Sequence, residues 1–247
     1  MMSRFSIREH FGEFASRYDQ EALKAGPGLR EISERELATV ERRVGVVQGR
    51  RVLDAGVGTG RFARMLVRGG AQVVGVDLTH EMLEVCARNE PRVRLVEARL
   101  GSPFPFGDGT FDHVVCIRVI KYLDDWTIAL AELRRVIRPT GRLVLEVANQ
   151  RSLARWGYSR MPVRLVTAGE AARLLASSGF RVQAMDPGVR LPFLMYRWAR
   201  TRSRLGAVRL VDGMLTRALG PFVFARSLIF TCQADPAWDL LEEPAPP

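Results

Sequence analysis

The sequence lacks the features of a membrane-spanning or disulfide-bonded protein. No apolar run reaches the roughly 18 residues that a transmembrane helix requires. The three cysteines, Cys86, Cys116 and Cys232, lie far apart and form no C-x-x-C pair. We interpret them as core thiols in a reducing cytoplasm and expect no metal site. The opening stretch MMSRFSIREHFGEF contains no apolar segment of the kind that a secretory signal needs, so we expect a cytoplasmic protein.

Lysine is nearly absent, and arginine supplies almost all of the 37 basic side chains, because only Lys24 and Lys121 are lysines. The net charge is +10, and its distribution is uneven. Residues 151–230 contain 14 arginines and three acidic residues, whereas the rest of the chain holds 23 basic and 24 acidic residues. Such a cluster favours an anionic partner such as a phosphate, a carboxylate, nucleic acid or an acidic membrane. A solvated basic face explains the same pattern.

Short apolar runs alternate with helical segments from residue 50 onward. The 247 residues, 47% of them hydrophobic, suffice for one α/β domain with an appended lobe. The runs are rich in Val and Leu, which is typical of parallel strands covered on both faces. This alternation predicts a doubly wound sheet. Strands are predicted at residues 51–54, 72–77, 93–97, 111–118, 142–148, 181–185 and 225–234, and helices at 61–69, 80–89, 126–137 and 167–178.

Four segments follow from this pattern. Residues 1–45 are amphipathic and are predicted to form a helical N-terminal cap, with a break at Gly26-Pro27-Gly28. Residues 46–150 form the predicted core of the domain. Residues 151–235 complete the sheet and include a basic helical insertion before the last strand, which we interpret as a lid. Residues 236–247, which include Pro244, Pro246 and Pro247, are expected to be a flexible tail.

The stretch VLDAGVGTGRF (52–62) carries three glycines at every second position behind an apolar run. The dinucleotide fingerprint is G-x-G-x-x-G, but here the residue five positions after the first glycine is Arg61, so a pyrophosphate clamp is the poorer match. The stretch resembles the first motif of class I S-adenosylmethionine (SAM)-dependent methyltransferases. That resemblance implies that the loop passes beneath the methionine and ribose portions of the cofactor, and that Asp54 organises the loop and the cofactor's amino end. The cofactor-binding residues implied here are Asp54, Ala55, Gly56, Gly58 and Gly60.

Further motifs follow the family's order. Asp77 ends a predicted strand in DLTHEML (77–83), where a carboxylate can accept hydrogen bonds from both ribose hydroxyls. Leu78 and Met82 are then implied to pack near the adenine. The segments SPFPFGDGTFDHVV (102–115) and RRVIRPTGRLVLEVANQ (134–150) also resemble the family, and in FGEFASRYD (11–19) the aromatic residue that closes over the cofactor would be Tyr18.

One position departs from the family's pattern. Relatives usually place an acidic residue near position 99 to bind the adenine amino group, but this chain has Arg99, which cannot accept a hydrogen bond. Backbone groups around Arg99 and Leu100 would then bind the adenine, or Glu97 would serve instead.

The resemblance implies a Rossmann-like, doubly wound, seven-stranded α/β sheet that is mostly parallel with an antiparallel C-terminal strand. It also implies SAM as the cofactor and methyl transfer as the reaction. The acceptor side is expected in the segment after the fourth strand, where Ile117 would lie under the methionine part of the cofactor by analogy and Arg118, Lys121 and Tyr122 would face the acceptor.

Tyr122 stands where relatives often have a histidine. With an ordinary pKa near 10, a tyrosine is a poor base at neutral pH, but it can orient an acceptor. Among the three histidines, His10 could reach the site from the N-terminal cap, while His80 opens a helix and His113 begins a strand. We therefore expect no dedicated histidine base and catalysis mainly by proximity and orientation.

These features predict methyl transfer to a small-molecule acceptor of the quinone, lipid-like or natural-product kind, including acceptors that carry an anionic group. Aromatic residues beside arginines in residues 190–222 fit such an acceptor, an acidic membrane surface, or simply a helical lid. An RNA methyltransferase remains an alternative, although no RNA-binding module is visible. A SAM-binding cyclase or another non-transferring protein on the same fold is a second alternative. The sequence leaves the oligomeric state and the methylated atom open.

Overall fold

The chain folds as alternating strands and helices, and the computed structural model describes residues 7–20, 26–152, 163–220 and 222–239. The strands are β1 (Arg51–Ala55), β2 (Gln72–Asp77), β3 (Arg94–Glu97), β4 (Phe111–Cys116), β5 (Ile137–Ala148), β6 (Phe180–Pro187) and β7 (Ser227–Ala234). The helices are α1 (Ile7–Phe14), α2 (Pro27–Val44), α3 (Arg61–Arg68), α4 (His80–Asn89), α5 (Thr127–Val136), α6 (Ala168–Ala176), α7 (Phe193–Trp198), α8 (Arg202–Leu219) and α9 (Pro236–Asp239).

The seven strands form one sheet in the order β3-β2-β1-β4-β5-β7-β6. Strands β1 to β5 pair in parallel, whereas β7 runs antiparallel to both β5 and β6. This arrangement confirms the predicted fold class, including the antiparallel last strand. Strand order reverses beside β1, between β2 and β4, so a crevice is expected at the carboxyl ends of these strands.

Helices cover both faces of the sheet, which explains the unbroken apolar strands. Along β1, Val52 packs with α2, α3 and α4 on one face, while Leu53 packs with α5 and α6 on the other. Both side chains are fully buried. A third, smaller apolar cluster joins the start of α2 to α7 and α8, where Tyr196 is its largest buried side chain. The predicted helical insertion before the last strand is therefore present and packs on the N-terminal cap.

The two largest differences from the predicted boundaries are at the start of β5 and in the C-terminal tail. Strand β5 begins at Ile137 rather than at residue 142, because Phe111 pairs with Ile137 while His113 already pairs with Arg142, so that the intervening residues of β5 bulge out of register. Residues 236–239, predicted as part of a flexible tail, form α9 instead, and Trp238 packs over Gly179. The rest of that tail, residues 240–247, lies outside the described residues.

In the part of the chain that the structure describes, no helix combines the length and the apolar character needed to cross a membrane. The same residues contain no group of three or more His, Cys, Asp or Glu side chains that could hold a metal ion.

Candidate active site

A cavity of about 420 Å³ opens where the carboxyl ends of β1, β2 and β4 meet the N-terminal segment. Most of the residues predicted to bind cofactor or acceptor line it. These are Tyr18, Gly56, Gly58, Asp77, Leu78, Met82, Arg99, Leu100, Ile117, Arg118, Lys121 and Tyr122. The topology brings together residues that are up to 104 positions apart in the chain, from Tyr18 to Tyr122. We refer to this space as the cofactor cavity.

The glycine loop between β1 and α3 has the backbone that its sequence predicts. Gly56 has φ +88° and Gly58 has φ +52°, conformations that residues with a Cβ rarely adopt. A Cβ on Gly56 would lie 2.0 Å from Cγ2 of Val119, so the loop also lies too close to its neighbour for a side chain. The Cβ position of Gly58 meets no protein atom within 4 Å, and this glycine lines the cavity. The loop therefore presents bare backbone to a ligand.

Asp54, Ala55 and Gly60 were also predicted to bind the cofactor, but none of the three is among the described residues that line the cavity. Gly60 precedes α3 with φ +84°, and a Cβ there would lie 2.7 Å from Sγ of Cys86 in α4. Its absence of a side chain therefore serves helix packing. Ala55 is fully buried within β1. The G-x-G-x-G pattern alone could not distinguish a glycine that faces a ligand from one that faces another helix.

Asp54, at the end of β1, is a buried carboxylate whose Oδ2 has no hydrogen-bond partner among the described residues. Burial raises the pKa of this carboxyl group to about 7. An unpartnered buried carboxylate oxygen costs free energy. A positively charged amino group near the loop would relieve that cost, so the state of Asp54 fits the role that the family resemblance assigns to it.

Asp77 joins the glycine loop to the end of β2. Its Oδ2 accepts a hydrogen bond from the backbone N–H of Gly58, and its Oδ1 accepts one from the N–H of Thr79, each at 2.9 Å. Burial raises the pKa of Asp77, and these two backbone donors oppose that shift. Each carboxylate oxygen keeps a second lone pair. Because Asp77 also lines the cavity, it can accept hydrogen bonds from a ribose diol, as its position in the sequence predicts.

The predicted adenine end is formed by Leu78, Met82, Arg99 and Leu100, with Phe104 beside them. Of the two alternatives predicted for adenine recognition, the Arg99–Leu100 segment is among the described residues that line the cavity. Glu97 is not among the described lining residues; it pairs instead with Arg8, and its Oε2 lies 3.2 Å from Nδ1 of His80.

The N-terminal segment covers the cavity from the side opposite the sheet. Tyr18 lines the cavity, and so do Arg8 and Phe11 of α1. Phe11 makes edge contacts with Tyr18 and with Tyr122, at centroid distances of 6.4 and 5.5 Å. The hydroxyl of Thr59 donates a hydrogen bond to Oδ1 of Asp19 at 2.6 Å, which ties the end of this segment to the glycine loop.

The position of the His10 ring does not support the catalytic role predicted for it. Its ring packs against Phe11 at 5.2 Å and Phe14 at 6.2 Å, and it is absent from the described lining of the cavity. Residues in a helix project in different directions, so proximity in sequence to Phe11 did not bring this imidazole to the cavity wall.

Arg118 shows the backbone strain often found at functional sites. It has φ +66°, and for a residue with a long side chain that conformation is rare. Its guanidinium contacts the carboxylate of Glu36 at 3.0 Å, and Glu36 also pairs with Arg61. The two guanidinium groups outweigh burial and lower the pKa of Glu36 to about 2. Sequence reasoning missed Glu36, because nothing near it in α2 shows that the fold brings Arg118 against it, 82 positions away.

Lys121 is a buried lysine at the acceptor end of the cavity, with its ammonium 5.3 Å from the ring centroid of Tyr122. Burial lowers its pKa to about 8; the nearby Arg226 and Arg118 act in the same direction, whereas Glu146 opposes them. A sizeable neutral fraction is therefore expected just above neutral pH. This shift could not be predicted from the sequence, because the pKa depends on Glu36, Glu146 and Arg226, which the fold brings from distant segments.

Comparison with known proteins agrees with this geometry. Residues 53–145 match the family of the methyltransferase domain. The chain is 32% identical over 140 residues to a demethylmenaquinone methyltransferase of Tropheryma whipplei, covering 56% of this chain and 57% of the relative. It is 30% identical over 164 residues to a malonyl-[acyl-carrier protein] O-methyltransferase of Erwinia billingiae, covering 66% of this chain and 62% of that relative.

A solved structure shows the same fold. The SAM-dependent methyltransferase of Mesorhizobium loti superposes with a TM-score of 0.61 at 18% identity, over 82% of this chain and 97% of that one. The alignments with the two curated relatives span only about three fifths of their lengths. Within these bounds, the domain match over residues 53–145 and the shared fold confirm the predicted resemblance to S-adenosylmethionine-dependent methyltransferases.

Proposed function

We propose that this protein is a SAM-dependent methyltransferase that acts on a small-molecule acceptor. One observation carries the proposal. The Gly58 N–H and the Asp77 carboxylate are joined at one end of a cavity whose other end holds Arg118, Lys121 and Tyr122. The two similar enzymes are named for a quinone and for a small acyl group on its carrier, which supports a small acceptor over nucleic acid.

When bound, SAM supplies a methyl group that is already activated on a sulfonium centre, so the protein's main task is to position the acceptor. In this arrangement Asp77 accepts hydrogen bonds from the ribose diol, and Leu78 and Met82 pack beside the adenine. Asp54 balances the charge of the amino end. Phe11 and Tyr18 exclude water from above.

On the acceptor side, Tyr122 orients the reacting group and Lys121 is the group best suited to hold a proton taken from it. Lys121 lines the cavity, and its pKa of about 8 lies near the optimum for a base at physiological pH. Because positioning carries most of the rate, loss of either side chain should slow transfer without preventing cofactor binding.

Calorimetric titration with S-adenosylhomocysteine and, separately, with NADH tests the cofactor assignment. We expect micromolar binding of S-adenosylhomocysteine and none of NADH. Asp77→Ala should weaken the first by at least about tenfold, since it removes charge-assisted hydrogen bonds worth roughly 1.5–3 kcal/mol each. Glu84→Ala, an exposed change on α4, is the matched control. Binding of NADH alone would show that the glycine spacing had been misinterpreted.

We also propose peripheral contact of α7 and α8 with an acidic membrane surface. Leu194 and Trp198 on α7, and Leu210 and Met214 on α8, are each more than half exposed. Arginines surround them, and the one acidic residue between positions 187 and 234, Asp212, is buried. An exposed apolar face ringed by cations is typical of helices that lie in a lipid interface.

Co-sedimentation with vesicles tests this contact. We expect binding to phosphatidylglycerol-containing vesicles, weak binding to pure phosphatidylcholine, and a loss of binding in Trp198→Ala combined with Leu210→Ser. Equal sedimentation with both vesicle types would contradict an electrostatic membrane contact, and binding to RNA but not to vesicles would favour the nucleic-acid alternative.

Finally, we propose a cytoplasmic location. The cysteines Cys86, Cys116 and Cys232 are buried thiols without a disulfide, and this supports a reducing compartment.

A further inference from the structure

A second cavity, of about 530 Å³, lies between α2, α8 and strands β5 and β7. Five arginines line it: Arg35, Arg190, Arg209, Arg217 and Arg226. We call it the arginine cavity. It accounts for part of the positive charge that the sequence concentrates in the C-terminal third, and it shares one described lining residue, Arg226, with the cofactor cavity.

Carboxylates within the fold neutralise three of the five arginines. Glu31 binds Arg35 at 2.7 Å and also pairs with Arg209. Asp212 lies 3.4 Å from Arg35 and 3.9 Å from Arg190. These three cations therefore already have partners.

Arg217 and Arg226 differ from the other three. Among the described residues, neither has a carboxylate oxygen within 4 Å; the Arg226 guanidinium instead lies 5.1 Å from the centroid of the Phe193 ring. Both residues line the arginine cavity, so their guanidinium groups are available for an anionic group, which arginine binds strongly through paired hydrogen bonds.

Glu146 adds an observation of a different kind. This residue of β5 is 7% exposed and lines the arginine cavity, and its Oε2 has no hydrogen-bond partner among the described residues. A buried carboxylate oxygen without a donor is costly. The cavity therefore calls for a ligand that also carries a hydroxyl or amine to donate to this oxygen.

The arginine cavity adjoins the acceptor end of the cofactor cavity. Arg226 lines both spaces. Glu36 lines the arginine cavity, and its carboxylate binds Arg118, which lines the cofactor cavity. None of the described residues at the adenine end lines the arginine cavity. A molecule held by Arg226 consequently lies near Lys121 and Tyr122 rather than near the adenine.

We propose that the arginine cavity binds the anionic end of the methyl acceptor. Arg217 and Arg226 hold a carboxylate or phosphate group, and Oε2 of Glu146 accepts a hydrogen bond from a hydroxyl or amine of the same molecule. This inference rests on the proposed methyltransferase function. It assigns the acceptor to a class: a small organic acid or phosphate ester with a hydrogen-bond donor.

Four probes separate the two contacts: 4-hydroxybenzoate has both groups, benzoate has only the carboxylate, phenol has only the donor, and phenyl phosphate replaces the carboxylate. Each is titrated calorimetrically into protein saturated with S-adenosylhomocysteine. We expect 4-hydroxybenzoate to bind more tightly than benzoate or phenol. Benzoate and phenyl phosphate, compared directly, show which anion the cavity prefers.

The variants assign each contact to its residue. Arg217→Ala should weaken 4-hydroxybenzoate and benzoate by about tenfold or more and leave phenol unchanged. Glu146→Ala should weaken 4-hydroxybenzoate and phenol but not benzoate. Arg204→Ala is the matched control, because its guanidinium lies 4.8 Å from the Trp198 ring and outside the cavity.

Cofactor binding is measured first in every variant, so that a failure of the proposed methyltransferase function can be distinguished from a failure of the proposed anion site. If S-adenosylhomocysteine binds but none of the probes does, or if Arg217→Ala behaves like Arg204→Ala, the inference about the arginine cavity is overturned while the methyltransferase function stands. If S-adenosylhomocysteine itself does not bind to the native protein, the proposed function fails.

Discussion

The contact between Gly56 and Val119 gives a quantitative test of the glycine loop. Adding a methyl group in Gly56→Ala has two costs. The residue must hold φ +88°, where an L side chain costs roughly 1–2 kcal/mol. The new Cβ would also lie 2.0 Å from Cγ2 of Val119, and overpacking of this kind costs about 1–3 kcal/mol. We therefore expect Gly56→Ala to destabilise the protein by about 2–5 kcal/mol.

The second variant, Val119→Ala, separates these costs. It removes Cγ1 and Cγ2 of Val119, so that its Cβ, 3.1 Å away, becomes the nearest Val119 side-chain atom to the new methyl group. In this background the overpacking should largely disappear, whereas the conformational cost at φ +88° should remain. A double-mutant cycle should then give a coupling free energy of about 1–3 kcal/mol between the two positions.

Urea denaturation of the four proteins measures the unfolding free energies, and titration with S-adenosylhomocysteine measures the loop's function. We expect the affinity to fall at least about tenfold in Gly56→Ala and to recover in part in the double variant. A destabilisation that is the same with and without Val119 would refute the close contact. Unchanged affinity in a destabilised Gly56→Ala protein would refute a role of this loop in binding.

Three further predictions concern charge. The pKa of Asp54 is about 7 in the folded protein, above its unfolded value near 4, so the folded state binds an extra proton between these pH values. The free energy of unfolding should therefore fall as the pH rises from about 4 to 7. Asp54→Asn should reduce this pH dependence in denaturation curves. The pKa of Glu36 is shifted in the opposite direction, to about 2, so its ionised carboxylate stabilises the folded protein above pH 4.5 by up to about 3 kcal/mol, and this stabilisation is lost on acidification. Glu36→Gln should remove this stabilisation. Melting curves at pH 3 and pH 7 measure the difference. With an acceptor found by screening, the rate of methyl transfer should rise with pH around a midpoint near 8, and Lys121→Met should abolish that rise. Tyr122→Phe should lower turnover only modestly. A thousand-fold loss of turnover in Tyr122→Phe would instead make Tyr122 the proton-transfer group.

The elements near the cofactor cavity could be predicted because their signals are local. The turn after β1 shows in three glycines, and the acid that ends β2 stands directly after its apolar run, so Gly58 and Asp77 could be placed before any contact was known. What joins them, the Gly58 N–H bond to Asp77, follows from parallel pairing of neighbouring strands.

Features that depend on distant segments could not be predicted in this way. Glu36 lies in a helix that carries no motif. Its role becomes visible only in the folded protein, where the segment after β4 places Arg118 against it. Gly60 looked like its neighbours in the loop, yet its space is occupied by Cys86. The charge pattern predicted an anionic partner for residues 151–230, but which arginines keep their charge available depended on Glu31 and Asp212, which the fold brings from separate helices.

The N-terminal segment that covers the cofactor cavity also has a kinetic consequence. Its described ties to the cavity's surroundings include the Thr59–Asp19 hydrogen bond, the Arg64–Asp19 and Arg8–Glu97 ion pairs, and the edge contact of Phe11 with Tyr122. Such a segment can detach at a much smaller free-energy cost than global unfolding. Because Arg8, Phe11 and Tyr18 line the cofactor cavity, a ligand bound there should leave more readily when this segment detaches. We therefore expect the residence time of the cofactor product to follow the opening rate of this segment, so that hydrogen exchange in α1 should slow in proportion to cavity occupancy.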